Sequence, residues 1–159
     1  MQKVREEKIS KLKEGIEGIK KEYPEGKIAL LPSLLLTQEI FGYLAREGIE
    51  LIADSLNLSE EEIWDTASFY QFLRKRPCGK NHLYICTNLT CLLEGAQEII
   101  EYLEKHYGIK EGEVSEDGIF SFETCECIGL CDEAPAGIFN EKPVKKLTIE
   151  KIEKLIRRR

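Results

Sequence analysis

Two short runs, Cys86-Thr-Asn-Leu-Thr-Cys91 and Cys127-Ile-Gly-Leu-Cys131, constrain this chain more than any other part of it. The stretch between them is long enough for a helix and a strand, so the two thiol pairs meet only if the fold returns them to one place. A chain that does this builds a four-thiolate metal site. The first pair brackets four residues and the second three. Zinc knuckles bracket roughly two to four residues and often recruit histidine, whereas neither His82 nor His106 belongs to a matching pair. A pair spaced like Cys86 and Cys91 also opens the plant-type [2Fe-2S] pattern. On spacing alone an iron-sulfur cluster, a zinc ion and metal-free thiols all stay open, in that order. Cys125 stands two positions before Cys127, and in extended chain the two point the same way. The residues themselves therefore leave either one as a ligand.

The 159 residues suffice for one domain, or for a small helical unit joined to a domain of ordinary size. A net charge of -6 gives no general attraction to nucleic acid. The terminal Arg157-Arg158-Arg159 reads as a set of cations complementing the negative end of a helix. No apolar run approaches the length that spans a bilayer. The opening Met1-Gln-Lys-Val-Arg-Glu-Glu-Lys is charged and carries acids, unlike a secretory or transit peptide. These features lead us to expect a reducing, bacterial-type cytoplasm, where six cysteines are metal ligands or inert core thiols rather than disulfides.

Taken in order, residues 3–22 repeat apolar positions at helical spacing through Val4, Ile9, Leu12, Ile16 and Ile19. A second helical segment runs from Ile28 to about Gly42, with Pro32 tolerable only in a first turn or at a kink. A third, Arg46 to Leu56, turns Ile49, Ile52 and Leu56 inward. Ser59 followed by Glu62 is a capping-box pattern opening a fourth helix, whose aromatic run Phe69-Tyr70-Gln71-Phe72 reads as core. The basic, Pro- and Gly-punctuated stretch around Arg74 to Lys80 marks a domain boundary, giving residues 1–75 as a helical bundle and 76–159 as a second domain.

In that second domain His82 to Cys86 reads as a buried strand delivering Cys86 at its C-terminal end. Thr87 or Thr90 then caps one helix carrying Leu92, Ala96, Ile99, Ile100 and Leu103, with Cys91 in its first turn. Ile119 to Thr124 is a strand feeding the Cys125 to Cys131 loop. Ala136 to Asn140 and Pro143 to Leu147 form a hairpin, and Thr148 caps a last helix with Ile149, Ile152 and Ile156 on one face. The order of elements predicts an α+β fold: an N-terminal helical bundle, then a thioredoxin-like four-stranded mixed sheet with flanking helices. His82 reads as a strand residue, the Ala134-Pro135 peptide as trans, and Gly129 either as a turn glycine or as a point where backbone amides approach sulfur.

These residues carry a resemblance. Cys86-Thr-x-x-x-Cys91 followed by Glu126-Cys127-Ile-Gly-Leu-Cys131-Asp-Glu-Ala-Pro135 resembles the thioredoxin-like [2Fe-2S] subunit of respiratory NADH:quinone oxidoreductase, complex I. The likeness continues upstream in Ala29-Leu-Leu-Pro-Ser-Leu-Leu-Leu-Thr-Gln-Glu, Gly42-Tyr-Leu, Ala67-Ser-Phe-Tyr70 and Pro77-x-Gly79-Lys80. It implies Cys86, Cys91, Cys127 and Cys131 as the ligands of one [2Fe-2S] cluster, and leaves Cys78 and Cys125 as ordinary thiols. It also implies a partner: the iron-sulfur subunit that binds FMN and NADH, in a peripheral arm on the cytoplasmic side of the bacterial inner membrane.

The chain itself shows no Gly-rich dinucleotide fingerprint, no P-loop and no recognisable flavin site, so no catalytic residue is assigned and it is not expected to oxidise NADH alone. Residues 1–75 are expected to clamp the partner. Similar modules serve NAD-linked hydrogenases and formate dehydrogenases, which is the first alternative. A zinc-stabilised binding module without a redox role is the second. Thiol-disulfide exchange is disfavoured by the lack of any Cys-x-x-Cys pair.

Overall fold

The computed structural model describes residues 2–157, and the chain divides into two compact units, Met1–Pro77 and Cys78–Arg159. Of the C-terminal cations singled out above, Arg158 and Arg159 lie outside the described residues.

The first unit is helical: α1 (Gln2–Glu22), α2 (Gly26–Phe41), α3 (Arg46–Leu56) and α4 (Glu60–Phe69). The stripe on α1 is effective from its second turn onward. Leu12 and Ile16 are buried, while Val4 is 59% exposed. Pro32 sits inside α2 rather than in its first turn. The ring removes one N–H from the ladder, and the buried Ser33 and Thr37 hydroxyls donate back to the Ala29 and Ser33 carbonyls, each at 2.8 Å, a pattern that bends helices. Gly42, at φ 87°, ends α2 and donates to the Gln38 carbonyl. The capping box forms as expected: the Glu62 amide donates to Ser59 Oγ and the Ser59 amide to the Glu62 carboxylate. Leu34, Ile49, Ile52 and Ile63 join Leu12 and Ile16 in one core.

The aromatic run departs from its expected place in the core. Phe69 is 82% exposed, and Tyr70 and Phe72 are each 39% exposed. Helix α4 stops at Phe69 and Tyr70 is extended, so the helical period that would have carried these rings inward ends there, and Leu73 is buried instead. The loop is nevertheless anchored. Gln38 donates to the Phe72 carbonyl at 3.2 Å and accepts from the Arg74 amide at 2.6 Å.

In the second unit a four-stranded mixed sheet is ordered β2-β1-β3-β4. The strands are β1 (Asn81–Cys86), β2 (Phe120–Cys125), β3 (Gly137–Phe139) and β4 (Lys142–Val144). β1 is central and buried along its whole length, the pattern of a strand covered on both faces. It pairs in parallel with β2, from Asn81 opposite Phe120 to Cys86 opposite Cys125. On its other edge it pairs antiparallel with β3, and β3 with β4. The hairpin turns on Asn140 and Glu141, at φ 46° and 69°, the left-handed pair that a tight two-residue loop requires. β4 ends at Val144, earlier than expected, because Lys146 takes φ 45° and Leu147 turns into the core.

The helices are α5 (Leu89–Leu93), α6 (Ala96–Tyr107) and α7 (Ile149–Arg157). The single helix expected after Cys86 is thus two, broken at Gly95 with φ 97°. α6 and α7 bury Ile99, Leu103, Ile152 and Ile156 with Phe120 and Phe122 of β2. Thr148 caps α7 as expected, accepting from the Lys151 amide. The Ala134-Pro135 peptide is cis, not trans. Backbone on either side of it is fixed by bonds from Lys146 N to Glu133 O and from Leu147 N to Pro135 O, each at 2.7 Å.

Candidate metal centre

Parallel pairing of β1 and β2 decides where the cysteines go. Both strands end on a cysteine, Cys86 and Cys125, in register with one another. The loops that follow therefore leave the sheet at the same edge, beyond the carboxyl ends of the strands, where α/β sheets place their ligands. The ladder extends one step further, with Thr87 N donating to Cys125 O at 3.0 Å.

At this edge the structure brings together Cys86, Cys91, Cys127 and Cys131. Cys127 and Cys131 sulfurs are 3.5 Å apart. Cys86 lies within hydrogen-bonding reach of both Cys91 and Cys127, and Cys131 is close enough to Cys91 for their charges to interact. All six cysteines are free thiols. The four sulfurs are unequally covered: Cys86 and Cys91 are buried, whereas Cys127 and Cys131 are exposed. The four thiols lie as one group, equal in number to the thiolates that hold a [2Fe-2S] cluster.

Cys125 takes a different place. It closes β2, is 5% exposed, and burial, followed by the charge of neighbouring Cys86 and Cys91, pushes its thiol up to about 12. Such a group behaves as a small hydrophobe rather than as an anionic donor. Cys78 is half-buried in the connector and has no part in the group.

Three hydrogen-bond donors point at the sulfurs. The Gly129 amide bonds Cys127, and with the Cys131 side chain it holds that thiol below its ordinary value. Gly129 has φ 76°, a conformation that turns its amide toward sulfur at no steric cost. The Ala136 amide bonds Cys91 and partly opposes the burial that raises its thiol. The Thr90 hydroxyl neighbours Cys131 and partly opposes the rise that Cys127 imposes on that thiol. Four thiols, three of them faced by N–H or O–H groups, fit an anionic iron-sulfur group, because such donors stabilise charge on ligand sulfur.

Two sequence expectations are corrected here. Neither Thr87 nor Thr90 caps a helix: Thr87 Oγ1 faces the Cys125 carbonyl at 3.5 Å, Thr90 faces Cys131, and the N-cap of α5 is Asn88, with no side-chain cap bond. Cys91 lies in α5, only five residues long, so a helix dipole contributes little and the individual donors contribute more. The Ala136 donor has no signal in its local sequence, because tertiary folding alone brings that amide to Cys91. His82 lies near the far end of β1, roughly 13 Å from Cys86 at the usual strand rise. There its Nδ1 is 2.7 Å from Ser121 Oγ, as befits a buried strand residue.

Comparison with known proteins gives a consistent picture. The model of the thioredoxin-like [2Fe-2S] ferredoxin family matches residues 16–159. NADH-quinone oxidoreductase subunit 2 of Thermus thermophilus is 39% identical over 135 residues, 84% of this chain and 75% of the relative. An NADH-quinone oxidoreductase subunit of Rickettsia bellii is 39% identical over 140 residues, 87% of this chain and 84% of the relative. Among solved structures, an NAD+-reducing [NiFe]-hydrogenase in its air-oxidised state superposes with a TM-score of 0.69 at 25% identity. That match covers 80% of this chain but only 22% of the hydrogenase chain. No helix among the described residues is long and apolar enough to cross a membrane.

Proposed function

Because this chain belongs to the thioredoxin-like [2Fe-2S] ferredoxins, we propose that it holds one [2Fe-2S] cluster on Cys86, Cys91, Cys127 and Cys131. It serves as the one-electron subunit of an NADH:quinone oxidoreductase, an oxidoreductase complex. The observation that carries this reading is the convergence of four free thiols, three of them faced by Gly129, Ala136 and Thr90, at the carboxyl ends of two parallel strands.

When bound, the cluster supplies reversible one-electron transfer. The chain's own residues do the rest. Cys86 and Cys91, buried against the sheet, exclude water from one side, which lowers the local dielectric around the ligand charges. Gly129 and Ala136 amides favour the anionic form of the sulfurs they face. Cys127 and Cys131, exposed, leave the other side open to a redox partner.

That partner is the iron-sulfur subunit carrying FMN and NADH, on the cytoplasmic side of the bacterial inner membrane within a peripheral arm. The relatives from Thermus and Rickettsia, matched over most of their length, support this assignment. The hydrogenase neighbour keeps a second reading in play, the equivalent subunit of an NAD-linked hydrogenase, but there the likeness spans about a fifth of the longer chain. The helical unit has no chemistry of its own and presents the exposed Phe69, Tyr70 and Phe72. Rings so placed suit a clamp on the partner.

The test is anaerobic reconstitution with iron and sulfide, read by visible absorption and electron paramagnetic resonance before and after dithionite. A red-brown protein that becomes paramagnetic on reduction is expected. Serine at any of the four ligand positions abolishes or alters the signal, and Cys125→Ser preserves it. A colourless chain that binds zinc with higher affinity and never becomes paramagnetic overturns the reading in favour of a zinc-stabilised module.

A further inference from the structure

We propose that Cys127 and Cys131 are a thiol switch: before the cluster is loaded, a low-molecular-weight disulfide such as oxidised glutathione closes the two into a bond, and the closed pair bars loading. The bond depends on this chain alone; its consequence for loading rests on the ligand set proposed above.

The two sulfurs are in hydrogen-bond contact at 3.5 Å. A disulfide holds its sulfurs at about 2.05 Å, so closure asks for roughly 1.5 Å of travel. The turn that carries them has room for it. Gly129 stands midway, and a Cβ there would meet nothing within 4 Å, so no packed neighbour crowds the turn at its midpoint. Access selects the same pair. Cys127 and Cys131 are exposed, while Cys86, Cys91 and Cys125 are 1%, 2% and 5% exposed, and attack on an external disulfide needs a thiolate that the reagent can reach. Cys86 is also tied at the end of β1, its amide donating to the Ala136 carbonyl at 3.0 Å, and Cys91 is held within α5. Cys78 precedes β1, at the opposite end of that strand from the site.

The chemistry is exchange in two steps. One thiolate of the pair attacks a sulfur of glutathione disulfide, forms a mixed disulfide and expels one glutathione thiolate; the second thiolate attacks the protein sulfur of that mixed disulfide and expels the other glutathione. Two protein thiols are oxidised, one glutathione disulfide is reduced to two thiols, and both protons pass to glutathione. Dithiothreitol reverses the sequence. The exchange modifies this chain and acts on no other protein. Closing the pair removes two of the four proposed ligands and leaves too few thiolates for a cluster held by four. In the loaded chain both sulfurs are committed as ligands, so the switch belongs to the chain before loading. Disulfides that form in reducing compartments are mostly of this transient, sensing kind.

The experiment takes the full chain, stripped of metal by a chelator and reduced, holds it anaerobically with excess oxidised glutathione, and maps its cysteines by mass spectrometry without reduction. The expected product is a bond between Cys127 and Cys131 that dithiothreitol reopens. Glutathione retained on either cysteine as the end product, a bond to another cysteine, or a chain with every thiol still free overturns the proposal. Iron and sulfide are then added with no other thiol, and colour and the bond are read in the same samples. Loss of colour is expected wherever the bond persists, with recovery as it opens; full colour with the bond intact overturns the gate. Cys131→Ser is expected to stop at a mixed disulfide of Cys127 with glutathione, and release of that glutathione by a different cysteine overturns the pairing. The loaded native chain is expected to resist glutathione disulfide, and equal modification with and without the cluster overturns the order of events. A reduced native chain that never colours would instead overturn the cluster reading, with the mapped bond still deciding whether the pair closes.

Discussion

Gly129 and Gly137 both border the sulfur site, and alanine is expected to act on them by different physics. At Gly129 an added Cβ meets nothing within 4 Å, but the residue holds φ 76°. The cost of Gly129→Ala is therefore that of the left-handed conformation alone, about 1 kcal/mol. At Gly137 the backbone is ordinary but there is no space: the Cβ runs into the Tyr84 carbonyl oxygen and comes 3.0 Å from Leu147 Cδ1. Tyr84 belongs to β1, and residues 83–85 of that strand pair with β3, so its carbonyl yields only if the β1–β3 ladder shifts. Overpacking against a rigid neighbour costs about 3 kcal/mol, at the upper end of the usual range.

Hydrogen exchange of the β1 amides, read by mass spectrometry on the full chain, separates the two. At about 1.4 kcal/mol per tenfold, Gly137→Ala is expected to reduce protection roughly 100-fold and Gly129→Ala roughly fivefold. Equal losses, or a larger loss at Gly129, would refute the view that space governs one position and backbone conformation the other.

Other substitutions probe other parts of the molecule. Ser59→Ala removes one half of the capping box and is expected to destabilise the helical unit by about 1 kcal/mol, seen as an earlier urea midpoint in the fluorescence of Trp64. The Glu133 carboxyl is held below its ordinary value of 4.5 by a hydrogen bond from Lys146 and by the charge of that residue and Lys145. A carboxylate so depressed contributes stability above its ordinary value and loses it as pH falls through the folded one, so Glu133→Gln is expected to be slightly less stable than native at neutral pH and to converge with it in acid, flattening the acid limb of a stability–pH curve. Phe69→Asp, on a ring 82% exposed, is expected to leave the thermal midpoint within a degree or two while weakening co-purification with the flavin-binding partner. Unchanged co-purification would count against the clamp.

Features written in neighbouring residues are readable in the sequence. The capping box needs only Ser59 and Glu62, the Thr148 cap only the amide of Lys151, and the succession of strands and helices along the chain follows from its alternating segments. What the sequence hides depends on distance in the fold. The helix after Cys86 reads as continuous because Leu92, Ala96 and Ile99 keep helical phase across the break at Gly95. The aromatic run reads as core because ring composition says nothing about a helix stopping at Phe69. Thr90 reads as a cap because a threonine next to a helix start usually is one, and only the return of the 127–131 loop gives its hydroxyl a sulfur to meet. The choice of Cys127 over Cys125 comes from the resemblance to a known family; the structure places Cys125 at the buried end of β2 and Cys127 in the loop that follows, exposed.

The register of β1 against β2, Cys86 opposite Cys125, has one more consequence. Side chains on a strand alternate between faces, so a slip of one residue would carry the Cys86 sulfur to the opposite side of the sheet. Cys91, Cys127 and Cys131 would then have lost their fourth companion although every strand was still paired. With the proposed ligand set, loading of the site thus works as a vernier on the alignment of the two strands: a chain that colours fully has its central ladder aligned to the residue.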